Sequence, residues 1–591
     1  MGIPGFFRNI VTKIPKSHFW NKDTKIDFLF LDFNSIIYTS AANVSKMKPW
    51  NFKSNKDTKD FEKTLIDYII DDTKHLVNNI IKPTRLIYIA IDGVPPLTKM
   101  RQQRERRAKP MIMKEMDKKY FPETYLENSS WDKTKITPGT EFMYNLCTEF
   151  KKHIDKKAFK KLDVVFSGAD IPGEAEHKYL SFIKRIDPKK DDVYCVYSND
   201  ADQIVLLLQF PNKKFYILHD ITADLEDKYP DEQRFVYLDI QKFSGEIFTI
   251  FDVDKKEVVS NNSQKNLDSF LRDYIFLSFL EGNDFVKHIY YLKMKTDHMK
   301  TLMGIYKDIR FLRGSRLIES KDNKLKINYD FFLELFEKLT ERESAGLFAH
   351  KSEVEKYLRF GSRRNNRKNE DEFGMAELEH LFFYDRKNPL FKDYMRQWNY
   401  LFEELSPDVF KPKYYKHFFG INYDMNDICK KYLEVLVFNL RYYFGEKVYW
   451  KFQYDARVAP LPSDVYQYLL ENPKILEQLT FEEKNPFEPI ELLMYVLSAD
   501  NGNLLPSNVE KVRKEKMAEY FPDHLDLDLL TGDKLIYTEP LLKHIPLPEL
   551  EKVYKLAKKG MTKNAKDRNI NNKIPYVYRG GISKNKLNLN N

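Results

Sequence analysis

Short apolar runs that end in acidic residues recur through the first 300 residues of the chain. They read DFLFLD at 27–32, LIYIAID at 86–92 and VYCVYSND at 193–200, and a stretch with helical spacing of apolar residues follows each one. Apolar runs of this length are typical of parallel strands that are buried on both faces. The pattern predicts an α/β core, in which a mostly parallel sheet is flanked by helices. The acidic residues then lie at the carboxyl ends of the strands, where such sheets bind ligands.

The chain divides by composition into four parts. Residues 1–300 form the predicted core, and the charged residues 301–424 predict a helical insertion or linker. Within that part, GSRRNNRKNEDEF at 361–373 has the composition of an exposed loop. Residues 425–550 predict a second region that is helical and rich in aromatic residues, and the Lys-rich residues 551–591 predict a basic, disordered tail. A chain of 591 residues is too long for one ordinary core, so such a division is expected.

Charge and cysteine content narrow the class of protein. The chain has 97 Lys and Arg against 88 Asp and Glu, and the net charge of +9 permits a polyanionic partner. Its three cysteines, Cys147, Cys195 and Cys429, are far apart, so neither disulfides nor a structural zinc site is expected. No apolar run approaches the roughly 18 to 20 residues that span a bilayer. We expect a monomer without membrane contact in the cytoplasm, with the nucleus not excluded.

Seven carboxylates stand at strand ends or in short turns of the predicted core. We call them the acidic cluster, and they are Asp32, Asp92, Glu174, Glu176, Asp200, Asp202 and Asp284. Clustered carboxylates repel one another and remain ionised together only when a cation compensates them. Oxygen ligands without His or Cys suit Mg²⁺ or Mn²⁺, and two such ions about 4 Å apart can cleave a phosphodiester. The competing interpretation is that these residues are helix caps and turn carboxylates.

Two pairs within the acidic cluster have informative spacings. Asp200 and Asp202 leave the same face of the chain if extended backbone continues through them. Glu174 and Glu176 stand at the start of a predicted helix, where residues two apart point about 200° away from each other. The two glutamates therefore cannot share one helical face. Either one of them lies outside the helix or the two serve different ions.

A basic helix is predicted directly after Asp92, where the sequence reads GVPPLTKMRQQRERRAK. We call four of its residues the phosphate pocket, namely Lys99, Gln103, Arg106 and Arg107. Their spacing of i, i+4, i+7 and i+8 places them on one helical face. Three cations and an amide on one face suit a terminal phosphate dianion, because Arg supplies forked donors and Lys a point charge. A solvated charged face is the alternative, and spacing alone does not decide between the two.

The motifs of the chain resemble those of the Xrn family of 5′-to-3′ exoribonucleases. In the first 300 residues they are MGIPGFFRNI, FLDFNSII, AIDGVPPLTKMRQQRERR, ITPGTEFM, IPGEAEHK, NDADQIVLL and FLEGNDF. In the second region they are WKFQYDARVAPLPSD and NPFEPIELLMYVL. The similarity covers residues 1–300 and 425–550, and the combination is specific although any one motif alone is weak.

The resemblance implies a PIN-like nuclease core supported by the second region. It implies a hydrolase that degrades single-stranded RNA processively from a 5′-monophosphate and releases 5′-mononucleotides. The acidic cluster would bind two Mg²⁺ or Mn²⁺ ions as the catalytic cofactor, with no small-molecule cofactor. The phosphate pocket would bind the 5′-phosphate and reject capped or triphosphate ends, because a larger group would not fit.

The sequence also departs from the pattern of that family. Tyr38 stands where the family has a His that stacks on the 5′ base, and Ser35 stands where it has Gly. Tyr can stack on a base, but it lacks the ionisable imidazole. The opposing stacking Trp corresponds to Trp450 or to Phe452. The chain reaches residue 591 without the long C-terminal extension of the cytoplasmic members, so partner docking through that extension is not expected.

Two other functions fit parts of the sequence. A flap-type DNA 5′ nuclease uses a similar acidic cluster, but the phosphate pocket and the aromatic second region favour an exoribonuclease. A catalytically inactive RNA-binding scaffold is the other alternative. It would have no reason to retain seven mutually repelling carboxylates.

Overall fold

The structure is a computed structural model. It describes residues 25–52, 54–120, 130–159, 161–186, 191–200, 202–220, 235–250, 263–292, 296–321, 324–360, 388–532 and 538–580. The motif MGIPGFFRNI, the loop predicted at 361–373 and residues 581–591 lie outside these ranges.

A seven-stranded sheet organises the first region. Its strands are β1 (Phe28–Asp32), β2 (Leu86–Ala90), β3 (Asp163–Ser167), β4 (Val193–Tyr197), β5 (Lys214–Asp220), β6 (Phe235–Asp239) and the late strand β11 (Tyr576–Tyr578). The order across the sheet is β11-β3-β2-β1-β4-β5-β6. The central strands β3, β2, β1, β4 and β5 run parallel, and both edge strands run antiparallel to their neighbours. The mostly parallel sheet predicted from the sequence is confirmed.

Strand β1 shows why these apolar runs form a sheet with two covered faces. Phe28 and Phe30 point into one core, whereas Leu29 and Leu31 point into the other, and all four side chains are fully buried. Successive side chains leave a strand on opposite faces, so a continuous apolar run satisfies both cores at once. The acidic residues that end these runs are left at the carboxyl edge of the sheet.

Helices cover both faces of the sheet. In the first region they are α1 (Phe33–Met47), α2 (Asn55–His75), α3 (Leu97–Tyr120), α4 (Glu141–Asp155), α5 (Ala175–Arg185), α6 (Asp202–Leu207), α7 (Ile240–Ile250) and α8 (Ser263–Phe279). Helices α1, α2 and α4 pack on one face. Helices α5 to α8 pack on the other, in a core that continues into the second region.

The rest of the chain is mainly helical. Its helices are α9 (Thr296–Arg313), α10 (Tyr329–Phe360), α11 (Pro389–Phe402), α12 (Pro407–Phe419), α13 (Met425–Tyr443), α14 (Pro462–Glu471), α15 (Ile475–Gln478), α16 (Pro489–Val496), α17 (Ser507–Met517), α18 (Leu547–Lys558) and α19 (Lys563–Asp567). Two short hairpins accompany them, made by β7 (Ile318–Lys321) with β8 (Lys324–Ile327) and by β9 (Leu527–Asp528) with β10 (Glu539–Pro540). Helices α9 to α12 contribute buried residues to the main core, so the predicted helical insertion is part of the folded body. A third apolar cluster joins α16, α17 and α18 to the start of α3.

The prediction of a disordered tail was wrong for residues 551–580. This part contains most of α18, all of α19 and β11. Leu550, Val553, Tyr554 and Ala557 repeat every three or four residues and bury one face of α18. Strand β11 pairs antiparallel with β3 at the edge of the sheet, and the backbone N–H of Gly580 donates to Asp163 at 3.0 Å. The Lys-rich composition predicted disorder, whereas the segment folds through a narrow apolar stripe on α18 and a long-range strand pairing.

The cysteines and the apolar helices bear on disulfide bonding and on membrane contact. Cys147, Cys195 and Cys429 are buried free thiols. Within the described ranges, no helix is long and apolar enough to cross a membrane.

Candidate active site

Asp32 and Asp92 lie at the carboxyl ends of the neighbouring parallel strands β1 and β2. Asp32 accepts hydrogen bonds from Ser35 and Ser198, both at 2.8 Å. Asp92 accepts from the Asn34 amide at 2.6 Å and from the backbone N–H of Ala175 at 2.8 Å. All these donors are neutral. They orient the two carboxylates without compensating their charge.

Glu174 and Glu176 stand at the start of α5. Glu174 is the residue before the first turn and has extended backbone, whereas Glu176 lies within that turn. The structure thus realises the first of the two arrangements that the spacing allowed, with one glutamate outside the helix. The Tyr442 hydroxyl donates to Glu174 at 2.7 Å, so the second region contacts the site directly.

Asp200 and Asp202 follow β4, but extended backbone does not continue through both. Asp202 is the first residue of α6, and its backbone N–H donates to the Asp200 carboxylate at 3.3 Å. The backbone N–H of Asp200 in turn donates to the Ser198 hydroxyl at 3.1 Å. Ser198 therefore links Asp200 to Asp32, and a helix start replaces the expected extended pair.

Asp284 reaches the site from the tight turn after α8. Gly282 has a φ of +92°, and an added Cβ there would lie 3.0 Å from the backbone nitrogen of His288. The Asn283 side chain accepts from the backbone N–H groups of Phe285 and Val286, both at 2.9 Å. This turn holds Asp284 toward α3.

Electrostatics join the members of the acidic cluster into one unit. Burial, together with repulsion from Asp32 and Glu174, raises the pKa of Asp92 to about 6. Burial followed by repulsion from Glu174 raises the pKa of Glu176 well above its usual value. Burial followed by repulsion from Asp200 has the same effect on the pKa of Asp202. Such shifts arise when buried carboxylates lack sufficient compensating charge.

The donor set fits a divalent cation. Ligand atoms of Glu174, Glu176 and His177 all lie within 4.8 Å of one another. Burial lowers the pKa of His177 to about 3, so its imidazole is neutral and packs on Tyr442 with ring centres 3.8 Å apart. Carboxylate oxygens at this density suit Mg²⁺ or Mn²⁺, since a bound cation would relieve the repulsion that raises these pKa values.

Helix α3 begins at Leu97, directly after the two prolines, as the sequence predicted. Its first turn faces the acidic cluster. The Lys99 ammonium contacts Glu174 at 2.6 Å and also forms an ion pair with Asp284. The Gln102 amide donates to the other oxygen of Asp284. Lys99, one of the four residues of the predicted phosphate pocket, therefore lies among the carboxylates.

The next turns of α3 carry the other three residues of the phosphate pocket. The Arg107 guanidinium donates to Gln103 at 3.2 Å and to Thr137 at 2.8 Å. Burial lowers the pKa of Arg107 to about 10, which leaves it charged at neutral pH. Arg106 has no hydrogen-bond partner within the described ranges.

Tyr38 joins the basic and acidic sides of the site. Its side chain is 44% exposed on α1. Desolvation raises the pKa of its hydroxyl, Arg107 and Arg106 oppose that rise, and Asp92 adds to it. These interactions place the ring between the phosphate pocket and the acidic cluster.

A segment of the second region runs along the start of α3. The carbonyl of Trp450 accepts from the backbone N–H of Leu97 at 2.8 Å, and that of Phe452 accepts from the Thr98 hydroxyl at 2.9 Å. The Trp450 ring lies beside Gly173, in the loop that carries Glu174, and faces an open cavity of about 760 Å³. Three lysines also line this cavity, namely Lys447, Lys451 and Lys484.

Phe452 has a different environment from Trp450. Its ring stacks on Phe438 at 4.7 Å between centres and meets Phe481 edge-on at 5.2 Å. It belongs to the aromatic core of the second region. The two candidates for the stacking residue therefore differ in what their rings contact.

Sequence reasoning missed several residues of the site. Helical spacing favours Gln103 over Gln102, and no local signal marks which of the two glutamines faces Asp284. Tyr442 comes from a distant helix, α13. Lys178 lies on α5, is buried, and donates to the carbonyls of Ile91 at 2.6 Å and Gly168 at 3.0 Å. Its position in IPGEAEHK was the only signal available for it.

Two domains of a known protein family match this chain. Residues 1–221 match the domain described as XRN 5′-3′ exonuclease N-terminus. Residues 264–389 and 403–579 match the domain described as Xrn1 helical domain. The second match alone spans more than half of the 591 residues.

Individual relatives agree with the domain matches. The chain is 28% identical to 5′-3′ exoribonuclease 1 of Homo sapiens, over 90% of this chain and 32% of that protein. It is 25% identical to 5′-3′ exoribonuclease 2 of Arabidopsis thaliana, over 85% of this chain and 60% of that protein. It is 30% identical to 5′-3′ exoribonuclease 1 of Saccharomyces cerevisiae, over 52% of this chain and 21% of that protein. The chain thus spans less than two thirds of the length of these relatives. With both domain matches in their expected order, the chain belongs to the Xrn family of 5′-3′ exonucleases.

Proposed function

We propose that this protein is a 5′-to-3′ exoribonuclease that hydrolyses single-stranded RNA from a 5′-monophosphate end. The observation that carries the proposal is the position of α3. Its first turn contacts the acidic cluster through Lys99, and its next turns present Arg106 and Arg107 beside Tyr38. A surface that would bind phosphate therefore adjoins a candidate metal site on one helix. The printed names of the relatives, 5′-3′ exoribonuclease 1 and 2, support the same activity.

The seven carboxylates of the acidic cluster would hold two Mg²⁺ or Mn²⁺ ions. Bound there, the ions would supply an activated water and stabilise the leaving oxygen of the phosphodiester. The neighbouring residues of the protein would orient the carboxylates that hold these ions. Ser35, Ser198 and Asn34 fix Asp32 and Asp92, Tyr442 fixes Glu174, and the Gly282 turn presents Asp284. A site held this rigidly would need little reorganisation during reaction.

The phosphate pocket would make the enzyme an exonuclease. Arg107 is fixed by Gln103 and Thr137, which leaves further N–H donors of its guanidinium for a phosphate. Arg106, beside it, has no competing hydrogen-bond partner among the described residues. A terminal phosphate bound by both arginines would set the register of the chain. The bond that is cleaved would then always be the first one, at a fixed distance from the 5′ end.

Stacking would hold the first base, and we assign it to Tyr38 and Trp450. Tyr38 is exposed next to the phosphate pocket, and Trp450 adjoins the Gly173 loop from the other side. Phe452 instead stacks on Phe438 and meets Phe481 edge-on, so its ring is engaged by other aromatic residues of the protein. Aromatic rings accept any base, so such a grip would permit repeated, processive steps along RNA of any sequence.

The proposal is tested with one single-stranded RNA labelled at its 3′ end. The RNA carries a 5′-monophosphate, a 5′-hydroxyl or a 5′-triphosphate, and each form is incubated with Mg²⁺ or with EDTA. Loss of the monophosphate form alone, in Mg²⁺ alone and without stable internal fragments, is the expected result. Cleavage of branched DNA with intact RNA would instead identify a flap-type nuclease. RNA binding without any cleavage would identify a scaffold.

A further inference from the structure

Lys99 and its neighbours engage every oxygen of two carboxylates in the acidic cluster. One oxygen of Glu174 accepts from the Tyr442 hydroxyl at 2.7 Å, and the other contacts the Lys99 ammonium at 2.6 Å. One oxygen of Asp284 accepts from the Gln102 amide, and the other from Lys99. Only 12% of the Lys99 side chain is exposed. These two carboxylates therefore share the single positive charge of Lys99.

The opposite side of the cluster is held differently. Within the described ranges, Asp32 and Asp92 accept hydrogen bonds only from hydroxyl, amide and backbone N–H groups. An ion that binds on this side displaces no ion pair. An ion that binds to Glu174 and Asp284 must compete with Lys99 for the same oxygens. The two halves of the site thus differ in what an incoming cation has to displace.

We propose that Lys99 controls the second metal position of the site. The inference rests on the proposed function, since it takes Lys99 as a ligand of the 5′-phosphate as well. Lys99 carries a single positive charge, which cannot compensate Glu174, Asp284 and a phosphate dianion at the same time. When a 5′-phosphate binds the pocket, Lys99 turns toward it and releases the two carboxylates. These carboxylates then bind a divalent ion, so the site is completed only with a correct 5′ end in place.

The proposed movement needs no change in the backbone of α3, because the flexible four-carbon stem of lysine lets its ammonium turn from one partner to another. Gln103 is four residues beyond Lys99 on the same face, a rise of about 6 Å at 1.5 Å per residue. Arg107 lies one further turn along and is fixed by Thr137, so it marks where the phosphate would bind.

Binding of the phosphate and binding of the second ion are thermodynamically linked, so the proposed role of Lys99 can be measured. If phosphate binding removes Lys99 from the carboxylates, the phosphate must strengthen binding of the second ion, and the ion must strengthen binding of the phosphate by the same factor. The effect is expected to be about tenfold or more, within the usual range of such couplings.

The test counts Mn²⁺ ions bound to the whole chain, from the paramagnetic resonance signal of free Mn²⁺. Titrations are run with adenosine 5′-monophosphate or with adenosine, and binding of Mn²⁺ to the nucleotide alone is subtracted. At a Mn²⁺ concentration between the two affinities of the second position, the wild-type protein should bind one ion with adenosine and two with the monophosphate. Lys99→Gln keeps a polar side chain but removes the charge, and it should bind two ions with either compound.

Lys184→Gln is the matched control. Lys184 lies on α5 and donates to the carbonyl of Phe444 rather than to the acidic cluster, so this variant should behave like the wild type. Circular dichroism verifies that each variant is folded. If Lys99→Gln does not fold, the Mn²⁺ titrations of the wild-type protein with the monophosphate and with adenosine still test the proposal.

Two results would overturn the role of Lys99. One is a wild-type protein that binds two ions with adenosine alone, and the other is a folded Lys99→Gln variant that still needs the monophosphate for its second ion. If either occurs while the wild type degrades 5′-monophosphate RNA in Mg²⁺, the proposed function stands without this control. If the wild type binds no Mn²⁺ and degrades no RNA, both proposals fail together.

Discussion

Replacing Arg107 by alanine should reveal whether the basic face of α3 reads the 5′ end of RNA. A guanidinium has five N–H donors, and the structure uses one for Gln103 and one for Thr137. The remaining donors are available to a phosphate. Thr137 keeps another bond in the variant, because its hydroxyl also donates to the Thr134 carbonyl at 2.6 Å. The change therefore removes phosphate contacts more than it disrupts the surrounding fold.

The size of the effect follows from the charge of the lost donor. A hydrogen bond from a charged group contributes about 1.5 to 3 kcal/mol. At about 1.4 kcal/mol for each factor of ten, Arg107→Ala should lower kcat/KM on 5′-monophosphate RNA by roughly 10- to 150-fold. RNA with a 5′-hydroxyl lacks the partner of this donor, so its much slower degradation should change little. Arg107→Lys keeps the charge but loses the forked donors, and it should fall between the two.

The assay measures initial rates on 3′-labelled RNA with either 5′ end, together with the thermal unfolding temperature of each variant. Arg101→Ala is the matched control, because Arg101 is on the same helix but bonds Glu105 and the carbonyl of Tyr454. It should alter both substrates by the same factor. Equal losses on the two substrates for Arg107→Ala would refute the phosphate pocket.

Three further predictions concern catalysis, pH and stacking. Asp200→Ala or Asp202→Ala should abolish turnover and leave RNA binding, measured by gel shift, largely intact; retained cleavage would contradict the metal site. Because burial and repulsion raise the pKa of Asp92 to about 6, its protonated form favours the folded state. In EDTA the free energy of unfolding should therefore fall as pH rises from about 4 to about 6, by up to about 3 kcal/mol from this group. Urea unfolding of Asp92→Asn should lack this component, and identical pH profiles would count against it. Trp450→Leu should raise KM for RNA at an unchanged unfolding temperature, whereas Phe452→Leu should lower that temperature; the reverse pattern would exchange their roles.

The positions of β1, β2, β4 and α3 were predictable because their signals are local. Apolar runs that end at Asp32 and Asp92 place side chains in the cores on both faces of the sheet and leave an acidic residue at its edge. Each run is only a few residues long, so the pattern can be seen in a short stretch of sequence. The two prolines before Leu97 likewise set the start of α3. Glu174, Glu176 and Asp284 belong to a helix start and a turn, so their approach to Asp32 and Asp92 depends on packing and not on this local pattern.

Contacts between distant segments were decided only by the tertiary structure. The sequence could not choose between Trp450 and Phe452, because residues two apart in an irregular segment carry no signal of which one packs inward. It also could not show that Tyr442 bonds Glu174 or that β11 pairs with β3, since such contacts depend on how whole helices and sheets pack. Lys99 illustrates the limit most clearly. Helical spacing assigned it to a phosphate, whereas the packing of α5 and the Asp284 turn against α3 surrounds it with carboxylates.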